Sequence, residues 1–157
     1  EQFILMGHSA GAHLISLISV RHDDTVKPWL GTVALDSAAY DVTKIMSAKV
    51  PLRFYKKAFG KDPKYWKEAS PTYVISDKVA PFLAVCSSTR KDEPCTQARS
   101  FINKAKHYGS QAQLLPVALS HRKINTELGK NNSYTAKVDE FLKDLHPSIE
   151  ALLINSR

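Results

Sequence analysis

The sequence predicts an α/β fold: a parallel sheet of about four strands with helices on both faces. Three observations carry this. Short continuous apolar runs stand where buried parallel strands would stand. Stretches with apolar residues at three- and four-residue spacing alternate with them, and glycines and prolines punctuate the boundaries. At 157 residues, 43% of them hydrophobic, the chain is long enough for one domain with its own core.

Phe3-Ile4-Leu5-Met6, ending at Gly7, reads as the first strand. From Ala10 to Val20 apolar residues occupy nearly every side of a helix, which predicts burial on most faces. Thr32-Val33-Ala34-Leu35 follows as a second strand and Pro81 to Cys86 as a third. Between them, residues 36–79 carry Pro51, Pro63 and Pro71 and an aromatic set of Phe54, Tyr55, Phe59, Tyr65, Trp66 and Tyr73. Short helices are expected there, acting either as a lid or pocket wall or as a small satellite core.

Ala98, Phe101, Ile102, Ala105 and Tyr108 mark an amphipathic helix that Gly109 ends. Gln113 to Leu119 reads as the fourth strand. Its Pro116 has no N–H to donate, so this strand belongs at an edge of the sheet. Tyr134, Val138, Phe141, Leu142 and Leu145 form the last stripe, with Asn132 or Ser133 as cap and Pro147 as stop, and Ser148 to Arg157 reads as a frayed tail.

Composition excludes several classes. The net charge of +7 comes from lysines spread along the chain, densest from Lys44 to Lys78, without a nucleic-acid-binding motif, so a solvated basic surface is expected. No apolar run approaches the ~20 residues that span a bilayer. The opening Glu1-Gln2-Phe3 is not a basic, apolar leader, and the expectation is a soluble chain. Cys86 and Cys95 read either as a disulfide, in an oxidising compartment, or as two ordinary thiols; no zinc site is expected of them.

The chemistry-bearing pattern is Gly7-His8-Ser9-Ala10-Gly11, a Gly-x-Ser-x-Gly elbow placed between a strand and a buried helix. Such a turn exposes the serine hydroxyl because its glycines let strand and helix approach closely. The Ala10 N–H, at the start of the helix, is then placed to face an oxyanion. A serine needs a base. Of six histidines, His121 alone follows a strand in a loop, where parallel sheets gather their functional groups; His8, His13, His22, His107 and His146 sit in the elbow, on helices or at helix ends. The orienting carboxylate should lie after another strand and between serine and histidine in chain order. Asp92 in the loop after the third strand is the first choice, Glu93 its rival, and Asp36 after the second strand the third candidate.

The extended elbow Gly7-His8-Ser9-Ala10-Gly11-Ala12-His13-Leu14 resembles the esterase and lipase branch of the α/β-hydrolases, which includes hormone-sensitive-lipase-like carboxylesterases and kynurenine formamidases. Ala69-Ser70-Pro71, Pro81-Phe82-Leu83, Ser120-His121 and Ile124-Asn125 also look like that branch; the elbow is the specific part. The resemblance implies Ser9 as nucleophile, Asp92 as acid and His121 as base, cleaving a small-molecule ester without metal or organic cofactor. The loop around Asp92 departs from the branch's usual Asp-x-x-Val-Pro form. An amidase or formamidase using the same triad is the alternative within enzymes, and a hydrolase-like binding module that has lost activity is the alternative outside them.

Members of that branch carry about four strands and a His-Gly-Gly-type oxyanion loop before the elbow. Residues 1–157 therefore read as the carboxyl-terminal half of one α/β-hydrolase domain. The expectation is that this is a cleavage product or a partial chain whose amino-terminal half pairs with the otherwise open edge of the first strand.

Overall fold

The structure is a computed structural model that describes residues 3–21, 29–49 and 51–155. His22, one of the candidate histidines, and the last two residues of the expected tail lie outside the described residues.

Four parallel strands form the sheet: β1 (Ile4–His8), β2 (Gly31–Leu35), β3 (Phe82–Ser87) and β4 (Ala112–Val117), in the order β1-β2-β3-β4. The register pairs His8 with Leu35, Leu35 with Val85, and Val85 with Leu115, so the carboxyl ends of the four strands open on one side. β2 and β3 are buried along their whole length, as continuous apolar runs in a parallel sheet should be. Pro116 sits in the edge strand β4, where its missing N–H interrupts no central ladder.

Alternating side chains of the central strands feed two cores. Ala34, Phe82, Ala84 and Cys86 point to one face, where α1 (Ala10–Val20) contributes Ala12 and Val20, and α6 (Pro94–His107) contributes Ala98, Phe101, Ile102 and Ala105. Val33, Leu35, Leu83 and Val85 point to the other, against Ile124 of α7 (His121–Thr126) and Tyr134, Val138 and Phe141 of α8 (Ser133–Lys143). Asn132 caps α8 by accepting the Thr135 N–H at 2.8 Å.

Three expectations need correction. α1 buries small residues, Ala12, Ser16 and Ser19, against the sheet, whereas Leu14 and Ile18 are 58% and 48% exposed. Close helix–sheet packing favours the small side, so an all-round apolar helix need not be buried all round. β1 is half-exposed rather than buried, with Met6 44% exposed at the open edge of the described sheet. Pro147–Asn155 forms a helix, α9, where a frayed tail was expected.

The described residues of the segment 36–79 form four short helices: α2 (Val42–Met46), α3 (Arg53–Phe59), α4 (Pro63–Glu68) and α5 (Pro71–Val74). They have a core of their own, with Ala39, Val42, Met46, Phe59 and Ala69 buried together and Tyr55 and Trp66 packed against them. His13 of α1 ties this unit to the sheet. Its Nε2 donates to the Ala69 carbonyl at 2.7 Å, and its ring meets Phe59 edge-on at 5.4 Å. Burial holds the proton affinity of His13 below the ordinary histidine value, which suits this neutral, structural role.

Candidate active site

Residues just beyond all four strand ends contribute to one cluster. At the end of β1, Ser9 has φ 59° and ψ −116°, a left-handed backbone that non-glycine residues rarely adopt. Its N–H donates to the Leu35 carbonyl at 2.9 Å, which closes the corner onto β2. Gly7 is required for steric reasons, since a Cβ there would lie 2.7 Å from the Gly11 backbone carbon. Gly11 itself has open space where a Cβ would stand, so only one of the two elbow glycines is demanded by close approach. The Ala10 N–H belongs to the first turn of α1, whose amides have no acceptor within the helix.

At the end of β2, Asp36 also has a left-handed backbone, φ 56°, and its side chain is fully buried. Its N–H donates to the Val85 carbonyl at 2.8 Å, and its Oδ1 accepts the Ser87 N–H at 2.7 Å. The fixed backbone thus aims Oδ2 in a single direction. His121 opens α7, not a loop, and Ser120 caps that helix. The ring bridges the two corners: Nε2 lies 3.0 Å from Ser9 Oγ and Nδ1 lies 2.7 Å from Asp36 Oδ2. With the proton on Nδ1, donated to the carboxylate, Nε2 is free to accept from the serine, which is the tautomer that a general base needs.

The carboxylate that meets the ring is therefore Asp36, not Asp92. Asp92 turns away because Arg90 occupies the intervening space: its Nε donates to Asp92 Oδ1 at 2.9 Å, and its Nη2 donates to Oδ2 of the same carboxylate. Arg90 Nη1 in turn donates to Asp36 Oδ2 at 2.8 Å and stands 3.0 Å from His121 Nδ1. Burial opposes the charge on Arg90, but the hydrogen bonds to Asp92 and Asp36 outweigh it and raise its proton affinity further. Glu93 takes a left-handed turn, φ 49°, at the amino end of α6. Cys86 and Cys95 form a disulfide with a Cα–Cα distance of 5.1 Å, which joins β3 to the first turn of α6 across the loop that holds Arg90 and Asp92.

Arg90 was not among the residues singled out from sequence. A signal existed: counted back from Pro94, the Asp place of the Asp-x-x-Val-Pro form falls on Arg90. His8 also has a part. Its ring lies 4.4 Å from the His121 ring, and its Nε2 donates to the His121 carbonyl at 2.9 Å. Burial lowers its proton affinity, and this keeps a second positive charge away from the cluster. His107 packs on Tyr108 and His146 bonds Ser148.

At Asp92 lies a cavity of about 230 Å³, walled by Ala38, Ile45, Leu52, Tyr55, Asp92 and Gln97. The Tyr55 phenol is held protonated, its proton affinity raised by burial and by the nearby Asp92 charge. Among the described residues no group of metal-ligating side chains gathers, and no helix is long and apolar enough to cross a membrane.

No protein-family model matches the sequence, and no curated protein does. Solved structures do match the fold. The apo form of Thermogutta terrifontis esterase 2 is 21% identical, with a TM-score of 0.65, over 90% of this chain and 55% of that one. The same esterase with butyrate bound is 21% identical, with a TM-score of 0.64, over 90% and 56%. Uncomplexed Pyrococcus horikoshii acylaminoacyl peptidase is 18% identical, with a TM-score of 0.62, over 78% and 20%. This chain thus spans about half the length of the solved esterases it matches, and it has the fold of part of an α/β-hydrolase domain.

Proposed function

We propose that the protein, folded as part of an α/β-hydrolase domain, is a serine hydrolase that cleaves carboxylic esters, with Ser9 as nucleophile, His121 as base and Asp36 as acid. The single observation that carries the reading is the continuous chain Ser9 Oγ, His121 Nε2, His121 Nδ1, Asp36 Oδ2, with contacts of 3.0 Å and 2.7 Å at its two ends. Two of its members also hold left-handed backbones at the carboxyl ends of adjacent strands. Strain of that kind persists where the surrounding structure enforces it and is concentrated at working sites.

In this reading Ser9 Oγ bonds to the ester carbonyl carbon as its proton passes to His121 Nε2. Asp36 steadies the imidazolium so formed. The Ala10 N–H, backed by the positive end of α1, donates a hydrogen bond to the developing oxyanion. The proton then moves from Nε2 to the departing alcohol as the carbon–oxygen bond breaks, leaving an acyl group on Ser9. Water, deprotonated by the same imidazole, releases the acid and restores the serine. No step requires a metal or an organic cofactor.

A fluorophosphonate probe tests the reading directly. The protein should be labelled at Ser9, and Ser9→Ala should abolish labelling and reduce hydrolysis of p-nitrophenyl acetate on the order of 10⁶-fold. Labelling that survives in Ser9→Ala sinks the assignment. A parallel assay on p-nitroacetanilide separates an ester preference from the amide-cleaving alternative, because both substrates release a chromophore from the same acetyl group.

A further inference from the structure

Buried carboxylates need a positive partner. Asp36 is fully buried and touches two groups that can supply one, His121 and Arg90, both on its Oδ2. These two are not equivalent. If His121 is the partner, its ring carries a proton at rest on both nitrogens, and Nε2 has no lone pair with which to take the proton of Ser9. If Arg90 is the partner, the carboxylate is compensated while the ring stays neutral.

We propose that Arg90 is a positioning residue that serves as the permanent counter-ion of Asp36, so that His121 rests as the neutral imidazole and can act as a base at neutral pH. This rests on the triad reading above and extends it. The geometry supplies three supports. Arg90 Nη1 donates to the same Oδ2 that faces the ring, and it also approaches the Asp36 carbonyl at 3.3 Å. The guanidinium, only 19% exposed, is oriented from its far side by the paired bonds to Asp92. Its Nη1 lies 3.0 Å from His121 Nδ1, so a second positive charge on the ring would be formed directly against it.

The other groups facing the ring do not replace it. His8, from β1, is kept neutral by burial. Asp92, from the β3 loop, reaches the ring only through Arg90. Burial first, with a smaller part from the Asp36 charge, pushes the phenols of Tyr55 and Tyr134 toward the protonated, neutral form. Arg122 and Lys123, on the same helix as His121, are exposed. A free, mobile cation in solvent cannot compensate a buried carboxylate as Arg90 does.

The test reads the rate of fluorophosphonate labelling against pH. In that reaction the Ser9 Oγ–phosphorus bond forms, the phosphorus–fluorine bond breaks, fluoride leaves and the serine proton passes to His121. The result expected for Arg90→Gln is slow labelling at pH 7 that recovers in alkali, with the acid limb of the profile moved up by about one to three pH units. Arg90→Lys, which keeps a charge, should return the limb most of the way to its original position. An Arg90→Gln profile lowered equally at every pH, with its acid limb unmoved, overturns the inference while leaving the triad standing. Wild type that is not labelled at all overturns the triad instead. If Arg90→Gln does not fold, ¹⁵N shifts of the His121 ring in the wild-type protein decide: a neutral, Nδ1-protonated imidazole at pH 7 upholds the inference, and an imidazolium overturns it.

Discussion

The ends of β2 and β3 make an instructive pair. Both are followed by an acidic residue that lies between Ser9 and His121 in chain order, and both lie at the carboxyl side of a central, fully buried strand. At the end of β2 the chain turns at once, through the left-handed backbone of Asp36, and the carboxylate is buried under its own hydrogen bonds. At the end of β3 the chain runs several residues further before Asp92, whose side chain remains 34% exposed and is engaged by Arg90. A carboxylate orients an imidazole when its own backbone is fixed and water is excluded from it; proximity in sequence to the usual place is not enough.

Replacements at these two ends should separate them sharply. Asp36→Asn keeps the size and the tolerance of the left-handed turn but removes the charge, and it should lower p-nitrophenyl acetate turnover about 10⁴-fold. A loss of only a few-fold would return the acid's role to the β3 loop. Removing the staple on the β3 side, with Cys86→Ser and Cys95→Ser together, should cost about 2–3 kcal/mol by the loop-closure estimate, read as a lower urea midpoint. Asp92→Asn should have the smallest effect, within about tenfold in turnover, because it loosens Arg90 without touching the ring. If Asp92→Asn proves the more damaging of the two carboxylate changes, the contrast drawn between the strand ends is wrong.

Much of this was legible in the sequence. The four strands, their parallel order and the edge position of β4 followed from short apolar runs and from Pro116. The approach of Ser9 to His121 was readable because an elbow motif fixes one partner and a strand end the other. The choice among Asp36, Asp92 and Glu93 was not, since it depends on backbone torsion and on which side chain Arg90 captures, and neither is written in spacing. The exposure of Leu14 and Ile18 was hidden for a related reason: apolar identity records what a residue can bury, not which neighbour is near enough to cover it.

Ser9, Asp36 and Glu93 are the non-glycine residues with positive φ among those described, and all three flank the same cluster. Each such torsion is disfavoured by roughly 1–3 kcal/mol when nothing enforces it. Here the enforcement comes from outside the turn itself: the Ser9 amide is held by β2 and the Asp36 amide by β3. The corner that presents the hydroxyl is consequently a property of the assembled strands and not of the five-residue motif that signals it. A peptide copied from the elbow alone would relax to ordinary torsions and carry none of the shape.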